Sequence, residues 1–374
     1  MSLTIVLILK DRADFTRRWM RYMNEVRCPF PILIADGGAD KEIEAHLREP
    51  GRYEHLDYQY VRYPFDESYG HYYAKMHDAA RRVETPYILF MDNDDFLLMD
   101  SLAAHVRYLD EHPECVSRGG DPVLLEVLDA PPDDPRAALD GNKARFWTVA
   151  TASARAASPG ERLLESVTRF NAYAWYNVHR TEAFADLLGE IEACCFDRIV
   201  FMEFLLIPGL AIRGTVEQGP PSHLVRQQNT SMGTANAVTE GDNLILASMQ
   251  PFWSANVNKV VTALLKRAEA AGAATEGLDQ ALRKGFANEL YSIYWNTLQR
   301  RSLLSRLARQ RNLHRTLPWR AARAGFLLAK RFWRRRDPLG VSARRNQQLF
   351  RSLPGLEQVD RFLKTHRKQA ENRS

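Results

Sequence analysis

Three carboxylates arrive within four residues of one another: Asp92, Asp94 and Asp95, with the amide of Asn93 set between the first two. Carboxylates this close repel one another unless a cation or a positively charged ligand sits among them. Hard oxygen donors suit Mg²⁺ or Mn²⁺, and Mg²⁺ commonly binds through one or two carboxylates plus substrate phosphates. The chemistry this spacing points to is a divalent ion holding a diphosphate. The competing reading is an acidic turn ahead of the next helix, with Asp100 as its N-cap. Glu203 stands out for a different reason. It lies between Ile199-Val200-Phe201-Met202 and Phe204-Leu205-Leu206, where a carboxylate is costly to bury without a task. The stretch from Phe170 is densely aromatic, and its cluster Tyr173, Trp175 and Tyr176 could stack on a ligand ring or fill a core.

These residues need a frame, and the pattern supplies one. Leu3–Leu9 is an uninterrupted β-branched and apolar run, the mark of a parallel strand covered on both faces. A helix from Asp14 to Val26 follows, then a strand Ile32–Ala35 ending at Asp36-Gly37-Gly38, and a helix Glu42–Leu47 started by Asp40. A strand Leu56–Arg62, a helix Tyr72–Val83 and the strand Tyr87–Met91 complete the alternation, and Asp92 falls where that last strand leaves the sheet. Such alternation predicts an α/β fold with a doubly wound, mostly parallel, Rossmann-like sheet. In sheets of this kind, ligands bind outside the carboxyl ends of the strands. No Gly-x-Gly-x-x-Gly and no Walker loop occurs, so a nucleotide would be held by side chains and metal.

Beyond a helix at Ser101–His112 the pattern is less regular to about Arg169. A helix from Thr181 to Cys194 and another opened by Asp197 follow, the second stopped by Pro208-Gly209. Arg226–Asn236 reads as a polar surface loop, and from Thr239 the pattern is helical. This predicts one domain over residues 1–235, with a nucleotide half at 1–112 and an acceptor half at 113–235. A helical C-terminal extension occupies 236–374.

The net charge of +5 conceals an asymmetry, because acids outnumber bases up to residue 299 while 300–345 holds a single acid, Asp337, among many arginines. In 300–345 the basic residues alternate with Leu, Phe and Trp, the make-up of a helix lying on anionic lipid. Nucleic acid is disfavoured as a partner, since the body is acidic and carries no nucleic-acid motif. Met1–Leu9 reads as a strand rather than a signal peptide, and no run reaches the length of a membrane span. Four cysteines without metal-ligand spacing suit a reducing compartment. The expected location is cytoplasmic, peripheral on the cytoplasmic face of a membrane.

Three motifs in order, Thr4-Ile5-Val6-Leu7 leading to Lys10-Asp11-Arg12, Ile34-Ala35-Asp36-Gly37-Gly38-Ala39-Asp40 and Met91-Asp92-Asn93-Asp94-Asp95, resemble glycosyltransferase family 2, the inverting sugar-nucleotide transferases of GT-A fold. The first motif departs from the family's usual wording, and the likeness, which is that of a divergent bacterial subgroup, covers about the first hundred residues closely and 170–232 loosely. The resemblance implies that Asp36 bonds a uracil-like base and that Gly37 lets it approach the backbone. Asp11 and Arg12 would line the nucleotide end, and Lys75 would face a phosphate. Asp92 and Asn93 would stand on the ribose or diphosphate side, with Asp94 ligating Mn²⁺ or Mg²⁺ and Asp92 contributing. His223 would be a third metal ligand, and Asp95 a supporting residue or cap. Inverting transfer also needs a base for the acceptor hydroxyl. Family spacing favours Asp197, the apolar surroundings favour Glu203, and the sequence leaves the choice open. The function implied is metal-dependent transfer from a UDP-sugar to a glycan or lipid-linked hydroxyl in cell-surface polysaccharide synthesis. The alternative is a nucleotide-sugar-binding or scaffold protein of the same fold that has lost catalysis.

Overall fold

In the computed structural model, residues 2–127, 144–228, 247–300 and 341–371 are described. The N-terminal alternation runs β1 (Leu3–Leu9), α1 (Ala13–Glu25), β2 (Ile32–Asp36), α2 (Lys41–Arg48), β3 (Tyr58–Arg62), α3 (Tyr69–Arg81) and β4 (Tyr87–Met91). Every residue of β1, β2 and β4 is buried, as strands covered on both faces require. Polar residues mark the turns between them: Asp40 caps α2 by accepting from the amides of Glu42 and Ile43, and Ser68 caps α3.

The chain continues through β5 (Phe96–Leu97), α4 (Met99–Glu111), β6 (Cys115–Gly119), β7 (Val123–Val127), β8 (Ala144–Thr148), α5 (Pro159–Thr168), a 3₁₀ turn at Ala172–Tyr176, β9 (Val178–Arg180), α6 (Thr181–Cys194), α7 (Ile199–Arg213), β10 (Thr215–Gln218) and β11 (Leu224–Gln227). Helices α8 (Pro251–Ala270), α9 (Leu278–Arg300), α10 (Val341–Ser352) and α11 (Pro354–Glu371) follow. Among the described residues there are two sheets. The larger has the order β10-β6-β9-β4-β1-β2-β3 and is mostly parallel, with β9 the antiparallel strand; the smaller has the order β5-β11-β7-β8. The expected α/β fold with a mostly parallel sheet is therefore observed.

Strand order fixes where a ligand can sit. From β1 the chain moves to β2 and β3 on one side, then returns to β4 on the other side of β1. The carboxyl ends of β1, β2 and β3 are level, with Leu9 beside Asp36 and Asp36 beside Arg62, while β4 ends two residues earlier, with Met91 beside Leu7. The crevice at this switch point is bounded by Asp11 and Arg12 after β1 and by Asp92–Asp95 after β4.

The second half departs from the sequence reading. Strands β6, β7 and β8 and helix α5 occupy the stretch read as irregular. Helix α7 does not stop at Pro208-Gly209 but runs to Arg213, buried over nearly its whole length. Burial outweighs the hydrogen bond that Pro208 removes, and a side chain at Gly209 would meet Leu187 of α6 at 2.5 Å. Arg226 lies in β11, not in a surface loop. The C-terminal helices pack on the body: Asn346 of α10 accepts from the Phe146 amide of β8, and Phe362 of α11 meets Tyr22 and Phe96 edge-on. The expected boundary near residue 235 and most of the basic segment 300–345 lie outside the described residues. No helix among the described residues is long and apolar enough to cross a membrane. The four cysteines are free thiols.

Candidate active site

One carboxylate oxygen from each of Asp92, Asp94 and Asp95 lies within 4.8 Å of the others. Helix α1 grips the backbone of this turn. Arg18 donates to Asp94 O at 2.8 Å, Tyr22 Oη donates to Leu97 O at 2.7 Å, and Asn93 Nδ2 donates to Thr16 Oγ1 at 3.0 Å. Asn93 thus points into the protein, not towards a nucleotide as expected. β11 closes the other flank by pairing with β5, which brings the Gln227 amide to Asp95 Oδ1 at 2.9 Å.

The electrostatics are those of crowded, partly dry acids. Burial, then repulsion from Asp94, raises the pKa of Asp92, and Tyr176 opposes the rise by donating to Asp92 Oδ2 at 2.6 Å. Burial, then repulsion from Asp94, pushes the pKa of Asp95 well above its ordinary value. Arginines surround the acids. Arg12 Nη2 reaches Asp94 Oδ2 at 3.3 Å, and buried Arg18 has its pKa lowered to about 9 by desolvation. Arg226 rests over the rings of Tyr176 and Tyr173, at 4.9 and 5.7 Å, and its charge is favoured by Tyr176, Asp95 and Asp92 despite burial.

Three hard oxygen donors within 4.8 Å of one another could hold a Mg²⁺ or Mn²⁺ ion, which takes oxygen ligands at about 2.0–2.1 Å. Asp95, expected only in support, is one of the three acids whose oxygens could hold an ion. His223 does not join them. It is 1% exposed, its Nε2 donates to Tyr176 O at 2.8 Å, and its Nδ1 accepts from the Gly120 amide at 3.3 Å. Neither nitrogen is left for a metal, and burial lowers its pKa to about 4, keeping the ring neutral. Its role is to hold the 3₁₀ turn that carries Tyr176.

The two candidate bases separate by environment. Asp197 is exposed just before α7, and its carboxylate accepts from Asn256 Nδ2 at 2.6 Å. Glu203 is half-buried. Burial raises its pKa to about 7, with Glu289 and Asp92 adding to the rise and Arg226 opposing it. Asp92 of the acid cluster is among the charges it feels, and of the two candidates Glu203 is the one brought near neutral pH.

The nucleotide-side expectations change in detail. Asp36, 1% exposed, accepts from Tyr60 Oη at 2.6 Å, Arg62 Nη1 at 2.9 Å and the Gly38 amide at 2.8 Å. Its carboxylate braces the ends of β2 and β3. Asp11 Oδ1 accepts from the Ala39 amide at 2.6 Å and ties the β1 and β2 loops together. Gly37 makes room for protein rather than for a base, since a Cβ there would stand 2.6 Å from Asp66 Cγ. Lys75 is not turned to a phosphate. Its ammonium is buried, paired with Asp66 and donating to Leu9 O at 2.8 Å. Sequence reasoning missed Arg226, Tyr176 as a partner of Asp92, and Asp66. An aspartate two residues before the Ser68 cap carries no signal of its burial, whereas Tyr176 stands out in the sequence as one of the clustered aromatics.

No family model matches the chain, and no curated protein matches it. Among solved structures the chain is similar to residues 1–349 of TarS from S. aureus, at 12% identity over 81% of this chain and 93% of that one, with a TM-score of 0.42. It is similar too to the same TarS fragment in complex with UDP, at 11% identity over 81% and 93% and a TM-score of 0.40. For the complex with UDP-GlcNAc the values are 11%, 79% and 90%, and 0.41. At these scores nothing about the chemistry of this chain follows from the likeness.

Proposed function

We propose that the chain is a metal-dependent inverting glycosyltransferase that moves a sugar from a nucleoside diphosphate sugar, a UDP-sugar, to a hydroxyl of a glycan or lipid-linked acceptor in cell-surface polysaccharide synthesis. The observation that carries the reading is the convergence of Asp92, Asp94 and Asp95 at the switch point, with Glu203 held close to neutral pKa within their field. Asp92, Asp94 and Asp95 would hold Mn²⁺ or Mg²⁺. A divalent ion there supplies charge neutralisation for a departing nucleoside diphosphate. Asp11 and Asp36 fix the floor of the crevice at the ends of β1 and β2, where the nucleoside would rest. Glu203 takes the proton of the acceptor hydroxyl while its oxygen attacks the anomeric carbon from the face opposite the diphosphate, and configuration inverts. The basic segment 300–345 would attach the protein to an anionic membrane surface and bring a lipid-linked acceptor within reach.

The test is nucleoside diphosphate release from a panel of UDP-sugars with Mn²⁺, comparing wild type with Asp94→Ala and Glu203→Gln. Equal rates in all three proteins would remove both assignments. One observation favours a second reading, a binding protein without catalysis. The three acids already face Arg12, Arg18 and Arg226, so their charge is partly balanced by the protein itself. UDP binding by calorimetry with no turnover of any donor would select that reading.

A further inference from the structure

Asp11 and Arg12 are consecutive non-glycine residues in the left-handed region, with φ of 57° and 60°. Side-chain-bearing residues adopt that conformation only where their surroundings impose it, and such residues cluster at functional sites. Here the surroundings do impose it. The Ala39 amide holds Asp11 Oδ1 at 2.6 Å, while the amides of Phe15 and Thr16 and Asn93 Nδ2 all donate to Arg12 O, at 3.0, 3.2 and 3.4 Å. The result aims the Arg12 side chain across the switch-point crevice. Its guanidinium lies over the Phe15 ring at 4.2 Å, and Nη2 ends 3.3 Å from Asp94 Oδ2. That contact is long for a charge-assisted bond, which is normally about 2.7–2.9 Å. Arg12 Nε is buried and has no hydrogen-bond partner among the described residues. The guanidinium is therefore placed firmly but bonded loosely. It stands on one oxygen of an acid that belongs to the proposed ion site, in the crevice where a diphosphate would lie.

Resting on the metal reading above, we infer that Arg12 is an exchangeable counter-ion for Asp94. Without a divalent ion the guanidinium neutralises the Asp94 carboxylate. When an ion takes that oxygen, the planar fork is released to the diphosphate, which it suits bidentately. Ion and nucleoside diphosphate are thus coupled through one side chain as well as through their own contact, and each strengthens the other's binding.

The experiment is Mn²⁺ titration followed by electron paramagnetic resonance, with and without UDP, on the full chain of wild type, Arg12→Gln and Arg12→Lys. Melting curves for each confirm that the variants fold. In wild type, Mn²⁺ alone is expected to bind weakly and UDP to tighten it strongly. Arg12→Gln should bind Mn²⁺ alone about tenfold more tightly and reduce the tightening by UDP about tenfold. Arg12→Lys keeps the charge without the fork. It should leave the affinity for Mn²⁺ alone near wild type and still lose most of the coupling. Mn²⁺ affinity and coupling both within about twofold of wild type in Arg12→Gln would overturn the inference while leaving the ion site intact. A wild-type protein that binds no Mn²⁺ in either condition would overturn the ion site and the exchange together.

Discussion

Tyr176 Oη donates to Asp92 Oδ2 at 2.6 Å, joining residues 84 positions apart. The tyrosine is carried on the 3₁₀ turn capped by Asn171 and held in place by His223, so the second half of the chain supplies a hydrogen bond that favours the charged form of an acid at the end of β4, against burial and Asp94. A hydrogen bond to a charged group contributes about 1.5–3 kcal/mol. Tyr176→Phe should therefore lower kcat/KM for UDP release roughly 10–100-fold and lower the melting temperature as well. Steady-state kinetics beside a thermal melt check it, and an unchanged kcat/KM would detach Tyr176 from the reaction.

Asp95 is an acid whose ionisation works against the fold. Its folded pKa is raised above the unfolded value, so its contribution to stability is lost as pH rises. Asp95→Asn keeps an oxygen for the Gln227 amide and removes one charge from the cluster. The metal-free variant should be more stable than wild type by about 1 kcal/mol at pH 8, with the gain shrinking as pH falls. In exchange it should lose the rise in melting temperature that Mn²⁺ gives wild type. Calorimetric scans at two pH values with and without Mn²⁺ decide both.

Glu203, with a pKa raised to about 7 from an ordinary 4.5, sets a pH profile. A base must be ionised, so turnover should climb with pH through about 7, and Glu203→Gln should be slow and flat across that range. The stability effect has the opposite sense. Between about 4.5 and 7 the native state binds the proton that the unfolded state has released, so stability falls as pH rises through that window. Glu203→Gln should therefore be more stable than wild type at pH 8, by on the order of 1–3 kcal/mol, and equal to it near pH 4. Denaturation midpoints at the two pH values measure this.

The buried Lys75–Asp66 pair separates structure from binding. Burial lowers the pKa of Lys75 and raises that of Asp66, and each is held charged by the other. Lys75→Met strands the carboxylate and should destabilise the protein by about 3–5 kcal/mol, whereas Lys75→Met with Asp66→Leu should recover most of that loss. UDP affinity of the double variant should match wild type. A loss of UDP binding in that stable double variant would return Lys75 to the phosphate role.

The first hundred residues were legible because β1, β2 and β4 are buried on both faces and so read as apolar runs, β2 ending at Asp36 and β4 leading straight into Asp92. β6, β7 and β8 were not, since Ser117, Arg118, Glu126 and Arg145 interrupt their patterns and their neighbours are distant in sequence. Arg226 looked like a loop residue because nothing local reveals that β11 pairs with β5 beside Asp95. Asp197 and Glu203 could be told apart only by surroundings, one exposed and tied to Asn256, the other within the field of Asp92 and Arg226. His223 misled because a histidine's free nitrogens are invisible until its hydrogen-bond partners are known.

The packing of α10 against β8, and of Phe362 against Tyr22 and Phe96, makes the chain's last helices part of the same hydrophobic body as the acid turn. Residues 301–340, which hold most of the arginines of the basic segment, are consequently spliced between two pieces that the body needs: α9 before them and α10 after. Cutting the chain at residue 300 to test membrane attachment would strip Phe96 and Phe146 of their cover along with the charge. The informative variant changes charge without changing connectivity, with arginines of 301–336 replaced by glutamine and α10 and α11 retained. Liposome flotation of that protein then reports on the basic segment alone.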